Sequence, residues 1–217
     1  MRHRKYLLAT IVLAAAIVSF FSFRSILPGA TAASPSTGSE ISRLAELMHW
    51  QSGTIVADIG AGDGSYSFEA AKIVGASGRV YATEIDTSKL TELRESVAKR
   101  KLINVTVVEG AVDDTKLPAA CCDAIFLRRV YHHITAPQPF DANLLRSLKP
   151  GARLAIIDFA PTNAYGPVPG VPANRGGHGI PQKILVEELT AAGFRVEKTI
   201  DHWSGDDYCV IFLKPGE

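Results

Sequence analysis

Cysteine is scarce in this chain, with three in 217 residues, two of which are the neighbours Cys121 and Cys122. A disulfide between adjacent residues is strained and Cys209 is the only other partner, so the pattern does not match a disulfide-built exported protein. Neither a C-x-x-C spacing nor a Cys/His cluster is present. All three cysteines therefore read as small buried hydrophobes, and no metal site is indicated. An excess of one charge is also lacking, since Lys+Arg 23 stand against Asp+Glu 22. Arg2, Arg4, Lys5 and Arg24 all precede the first acidic residue, Glu40, and without them 19 basic residues face 22 acidic ones. That balance offers no basic footprint for nucleic acid. There is no internal repeat, and 47% hydrophobic with 21% charged residues excludes a disordered, collagen-like or multi-pass membrane chain. At this length one core can form without disulfide or metal staples.

One long apolar run is present. Residues 7–23 carry no charge and follow the basic stretch 1–5. Seventeen residues lie at the short edge of what spans a bilayer, because a helix rises about 1.5 Å per residue against a hydrocarbon core of roughly 30 Å. Ala30-Thr31-Ala32 follows as a small-residue cleavage motif. Residues 1–32 thus read as a signal peptide or membrane anchor, with membrane association through 7–23 or export, and 33–39 as a linker. The folded domain is expected over 40–217.

Beyond residue 40, strand and helix patterns alternate. Residues 40–50 form an amphipathic helix with Ser39 available as its cap, and 54–59 is an apolar strand ended by glycines. Helices are expected at 65–74, 88–101, about 140–148 and 182–192, and further strands at 79–85, 105–109, 123–127 and 153–159. This rhythm implies right-handed crossovers. Two last strands, 194–202 and 208–214, are joined too briefly to be parallel. The fold class is α/β: a doubly wound, mostly parallel seven-stranded sheet with helices on both faces and an antiparallel C-terminal strand.

Chemistry concentrates where the first strand meets the next helix, in Asp58-Ile59-Gly60-Ala61-Gly62-Asp63-Gly64. Glycines there let a ligand approach the backbone, at the carboxyl end of a parallel strand. A dinucleotide fingerprint needs a third glycine at position 65, which is serine. The carboxylates of Asp58 and Asp63 repel a pyrophosphate and favour a cationic ligand that carries an amino group and a sulfonium. Alternatively, Asp58 caps the following helix and Asp63 accepts backbone N–H groups within the turn.

This loop resembles the first motif of the class I S-adenosylmethionine-dependent methyltransferases. The resemblance runs over nearly all of 40–217, final hairpin included. It implies S-adenosylmethionine as cofactor, held at Asp58, Gly60, Ala61, Gly62 and Asp63. It implies that Glu84 takes the ribose hydroxyls, with Asp86 the near competitor, and that Asp113 contacts the adenine, although Ala111 stands where many members have Asp. Arg128 is a candidate for the methionine carboxylate or an anionic substrate, with a surface ion pair as its alternative.

Arg128-Arg129-Val130-Tyr131-His132-His133 resembles the His-His segment after strand four of small-molecule methyltransferases, which lines the methyl-transfer pocket. His132 and His133 are the catalytic candidates, with one of them alternatively a structural polar element. Tyr131 is a candidate pocket wall. Metal-dependent catechol-type members carry an Asp at the end of strand four where Arg128 lies, which speaks against a metal mechanism. The Pro/Gly-rich segment 160–181 reads as a lid or binding loop, or as disordered. Asp158 before it, with Arg175 and His178 inside it, are candidates to meet substrate. Motifs of DNA methyltransferases are absent. The leading function is methyl transfer to a small-molecule or lipid-like acceptor. A cofactor-binding protein without turnover and an NAD-linked oxidoreductase are the alternatives.

Overall fold

A computed structural model describes residues 36–216. The cleavage motif and the run 7–23 lie outside the described residues. Among those described, no helix is long and apolar enough to cross a membrane.

Seven strands form one sheet. In chain order they are β1 (Ile55–Ile59), β2 (Arg79–Glu84), β3 (Val105–Glu109), β4 (Cys122–Arg128), β5 (Leu148–Phe159), β6 (Arg195–Ser204) and β7 (Asp207–Leu213). Their spatial order is β3-β2-β1-β4-β5-β7-β6. Strands β1 to β5 are mutually parallel, and β7 runs antiparallel to both β5 and β6. The winding reverses beside β1: β2 and β3 are laid on one side, β4 and β5 on the other. Helix dipoles and strand ends both converge at such a reversal, which is where open α/β sheets bind ligands.

The helices are α1 (Thr37–Leu47), α2 (Ser65–Val74), α3 (Thr87–Arg100), α4 (Pro137–Ser147) and α5 (Gln182–Ala191). Alternate residues of the buried strands feed two cores. Val56, Ala124 and Phe126 pack with Ile41, Leu44 and Phe68 on one face. Ala57, Ile125 and Leu127 pack with Leu144, Leu185 and Leu189 on the other. Both faces are apolar because both are covered, as a parallel sheet requires.

Several expected boundaries move; helix α4, for one, begins at Pro137 rather than at about 140. Helix α1 begins a turn earlier, because Ser36 rather than Ser39 is its cap; Ser36 Oγ accepts the Ser39 N–H at 3.2 Å. Strand β5 begins at Leu148, where 149–151 reads as a helix stop: Pro150 is accommodated in an irregularity between the pairs Cys122–Leu148 and Ala124–Arg153. The final hairpin closes more tightly, pairing Ser204 with Asp207. Cys122 and Cys209 are buried, Cys121 is half-buried, and all three thiols are free.

Phe126 is fully buried at the centre of β4, its ring 5.8 Å from that of Trp50. Phe126→Ala is expected to cost about 3–5 kcal/mol of stability, read as a lowered urea midpoint with an unchanged transition slope.

Candidate functional site

The loop after β1 crosses to the end of β2. Gly60 and Ala61 donate their N–H groups to the Thr83 carbonyl at 2.9 and 2.8 Å. Glu84, closing β2, then gathers three more backbone donors: Gly62 N at 3.0 Å on one carboxylate oxygen, and Ile85 N at 2.8 Å and Asp86 N at 3.1 Å on the other. The oxygen facing Gly62 keeps a free lone pair at the wall of a cavity of about 660 Å³. Gly60, Gly62, Glu84, Gly110, Ala111 and Val112 line one half of that cavity, and Arg128, Val130, His133, Ile134 and Phe140 the other.

The glycines have separate reasons. At Gly60, φ is +74° and an added Cβ would stand 2.6 Å from a Val130 methyl, so backbone meets side chain directly across the β1–β4 gap. At Gly62, φ is +57° and nothing lies within 4 Å of an added Cβ. Gly62 is also one of the residues that line the cavity.

The two aspartates of the loop are placed elsewhere than the charge argument expects. Asp58 is buried and accepts the Ser67 hydroxyl of α2 at 2.6 Å, and it does not line the cavity. Burial pushes its carboxyl up to about 7, with the Ser67 hydrogen bond opposing and Glu84 and Asp63 adding to the rise. Asp63 turns back to accept the Ser65 N–H at 2.9 Å. Asp86 is the N-cap of α3; it accepts the Ser88 hydroxyl together with the Lys89 and Ser88 N–H groups, and those bonds hold its carboxyl below the usual range. The acids on the cavity wall are Glu84, beside the glycines, and Asp86, its competitor. Asp113 is exposed and off the cavity wall; Gly110, Ala111, Val112 and Thr115 form that wall instead. Ile85 and Val112, 56% and 58% exposed, flank it as the apolar surfaces a flat ring would cover.

Arg128 and Arg129 end β4. Arg128 donates its Nε to Glu40 Oε1 at 3.0 Å and lies over the Tyr66 ring at 5.0 Å. Glu40 is buried and also accepts Tyr66 Oη and Trp203 Nε1, each at 2.7 Å. Burial would raise its carboxyl, but the bonds from Tyr66, Arg128 and Trp203 outweigh it and hold the group below its ordinary value. Arg129 stands at φ +55° and spans the buried Asp207 carboxylate through Nε, at 3.0 Å from each oxygen. Neither Glu40 nor Asp207 is marked by a motif; a lone acid on the apolar face of the first helix was the one available signal.

The 3-10 turn Tyr131–His133 sends Tyr131 one way and the two histidines another, the rings of His132 and His133 lying 4.1 Å apart. Tyr131 is buried, donates its hydroxyl to Asp141 and Glu188, and is no wall of the cavity, contrary to the expectation. Burial and the two carboxylates keep it un-ionised. His132 is 2% exposed; its Nδ1 lies 2.8 Å from Asp158 Oδ1, while its own backbone N–H donates to Asp158 Oδ2 at 3.1 Å. Asp158 thus fixes the orientation of the ring and of its other nitrogen, Nε2. That Nε2 is buried without a partner. His133 lines the cavity, and burial, with His132 and His178 beside it, holds its imidazole below the ordinary value. His178 brings its ring within 5.1 Å of His132 and 5.8 Å of His133, and Tyr165 stacks outside it at 4.9 Å. The structure thus gathers His132, His133, Asp158 and His178, of which His133 lines the cavity, and sets Tyr131, Asp58, Asp63 and Asp113 away from both the cluster and the cavity wall.

A glycine loop, a carboxylate at the end of β2 and a partly apolar wall after β3 meet at one cavity where the winding of the sheet reverses. The comparisons make that specific. The family model described as "Methyltransferase domain" matches residues 51–191, more than half of the chain, so the chain belongs to this family. It is a class I S-adenosylmethionine-dependent methyltransferase, which sets aside the NAD-linked reading. It is 31% identical over 121 residues to the ubiquinone/menaquinone biosynthesis C-methyltransferase UbiE of Azotobacter vinelandii, covering 55% of this chain and 48% of that protein. The chain thus spans about half the length of the curated relatives it matches. A SAM-dependent methyltransferase from Aquifex aeolicus superposes with a TM-score of 0.69 at 27% identity, covering 83% of this chain and 94% of that one. Phosphoethanolamine N-methyltransferase 2 of Haemonchus contortus, solved with S-adenosyl-L-methionine, shares the fold at 16% identity and a TM-score of 0.67, over 84% of this chain and 54% of that one.

Two expectations follow. Gly62→Ala places a methyl in open cavity space at a cost of about 1–2 kcal/mol for the left-handed backbone. Calorimetry with S-adenosylhomocysteine is expected to show binding weakened at least about tenfold, in a protein that still melts cooperatively. Asp58 and Asp141 are both pushed up to about 7 by burial. Each native acid then holds its proton where the unfolded chain has lost it, so stability falls as pH rises from about 4 through 7. Urea midpoints at pH 5 and pH 8 are expected to show that loss, and Asp58→Asn, which still accepts the Ser67 hydroxyl, to reduce it.

Proposed function

We propose that this methyltransferase acts on a small, flat, hydroxylated ring of the quinol type. The observation that carries the reading is His133: a neutral imidazole on the cavity wall between the apolar surfaces of Val130 and Ile134, backed by a second imidazole that Asp158 orients. Methyl transfer from a sulfonium is an in-line displacement that needs alignment and exclusion of water. An acceptor that is already a free amine needs no base. A ring hydroxyl does, and a histidine kept neutral at physiological pH is suited to take its proton. The names of the Azotobacter relative and its kin support the same class, at half their length.

In this reading Glu84 accepts the ribose hydroxyls, Gly60, Ala61 and Gly62 line the amino-acid tail, and Arg128 faces its carboxylate. Ile85 and Val112 sandwich the adenine. When bound, S-adenosylmethionine supplies the electrophilic methyl group. The chain's part is to exclude water, to align the ring against Val130 and Ile134, and to hold the hydroxyl proton at His133. A lipid-soluble quinol also suits residues 7–23 as a membrane-association segment.

The test is transfer of labelled methyl from S-adenosylmethionine to hydroquinones, with primary amines and aliphatic carboxylates as competitors. Quinols are expected to be methylated and the others not; methylation of the amines alone overturns the reading. His133→Asn is expected to lower kcat by about 10²-fold or more, with S-adenosylhomocysteine affinity within about twofold of the parent.

A further inference from the structure

The long segment 160–181 after β5 is where a lid would be sought, and it is ordered by a side chain that reaches away from the cavity. Arg175 is 1% exposed, the largest fully buried side chain among the described residues, although it stands in a Pro/Gly-rich connection. Its guanidinium lies over the Tyr131 ring at 4.9 Å. One terminal nitrogen donates to the Ile134 carbonyl, the other to the Tyr131 carbonyl at 3.2 Å, and Nε donates to Glu188 of α5 at 3.2 Å. The two carbonyls bracket the turn that carries His132 and His133. Three residues after Arg175, His178 packs on both of those imidazoles.

We propose that Arg175 is a positioning residue for the acceptor half of the site. A single planar fork fixes the histidine turn from both of its ends and ties it to the loop that supplies the third imidazole, so the relative placement of His132, His133 and His178 depends on one buried guanidinium. Lysine cannot replace it, because an ammonium has no rigid fork with which to span two carbonyls and a carboxylate at once. The donor half of the cavity is held by Thr83 and Glu84 through backbone bonds and does not involve Arg175. The proposal rests on the reading that acceptor meets His133.

The test uses the full chain labelled with ¹⁵N at histidine, with the Arg175→Lys variant and, in case that variant folds poorly, Glu188→Gln, which removes the charge of the outer anchor while keeping an oxygen that accepts from Arg175 and Tyr131. The probes are S-adenosylhomocysteine in calorimetry, hydroquinone in turnover, and the tautomer and titration of the three imidazoles in long-range ¹H–¹⁵N spectra. For Arg175→Lys, S-adenosylhomocysteine affinity is expected within twofold of the parent, hydroquinone KM raised at least about tenfold, and the His132 and His178 signals shifted. Glu188→Gln is expected to show the same changes to a smaller degree. Imidazole spectra identical to the parent in both variants overturn the proposal, as does a loss of S-adenosylhomocysteine affinity equal to the loss in hydroquinone KM. If the parent itself methylates no hydroquinone, the quinol reading fails, and the imidazole spectra still decide whether Arg175 positions the turn.

Discussion

The cavity depends on a constraint of parallel sheets: strands that end together leave their last backbone donors pointing into the space beyond, with no neighbouring strand to accept them. Glu84 resolves this at the end of β2. Its carboxylate accepts from Gly62 on the β1 loop and from Ile85 and Asp86 on its own continuation, so one side chain sets the curvature of two loops. Those loops form one side of the cavity. A carboxylate already held by three backbone donors is preorganised, and a ligand donor meeting its remaining lone pair does not have to order it.

Charge is distributed around this constraint by burial. Asp58, a few residues before the glycines, is the most buried acid of the loop, and for that reason it is the one least able to present a negative charge near neutral pH. Asp63 and Asp86 spend their oxygens on helix and turn N–H groups. On the cation side, Arg128 and Arg129 are held by Glu40 and Asp207, acids contributed by the first helix and the last hairpin. The guanidinium at the cavity is thus partly neutralised from behind, which fixes its direction without giving the cavity a large field.

The fold was legible in the sequence because its signals are local. Apolar runs ended by glycine marked the parallel strands, and the short link between the last two strands demanded antiparallel pairing. Glu84 was legible for the same reason, being a fixed distance from the glycine loop along one βαβ unit. What stayed hidden is contact between residues far apart in the chain. Asp58 and Asp113 carry the residue types the pattern asks for, but side-chain direction at a strand end and in a turn is decided by packing, and Ser67 or solvent takes them. Tyr131 sits one position from the two histidines and points to the opposite side, since a 3-10 turn rotates successive side chains by about 120°. Arg175 in a glycine- and proline-rich segment reads as an exposed loop residue, and only the neighbouring α5 and the histidine turn explain its burial.

The two halves of the cavity consequently have different physical characters. The half beside β1 to β3 is made of backbone groups and a carboxylate, so its shape is a property of the fold and tolerates little change. The other half is lined by Arg128, Val130, His133, Ile134 and Phe140, and the turn that carries His133 is held from behind by Asp158, Arg175 and Glu188 through side-chain bonds rather than sheet hydrogen bonds. Its shape can be altered by substitutions that leave the sheet intact. A fold with one half set by backbone bonds and one half set by side chains can keep the first unchanged while substitutions reshape the second.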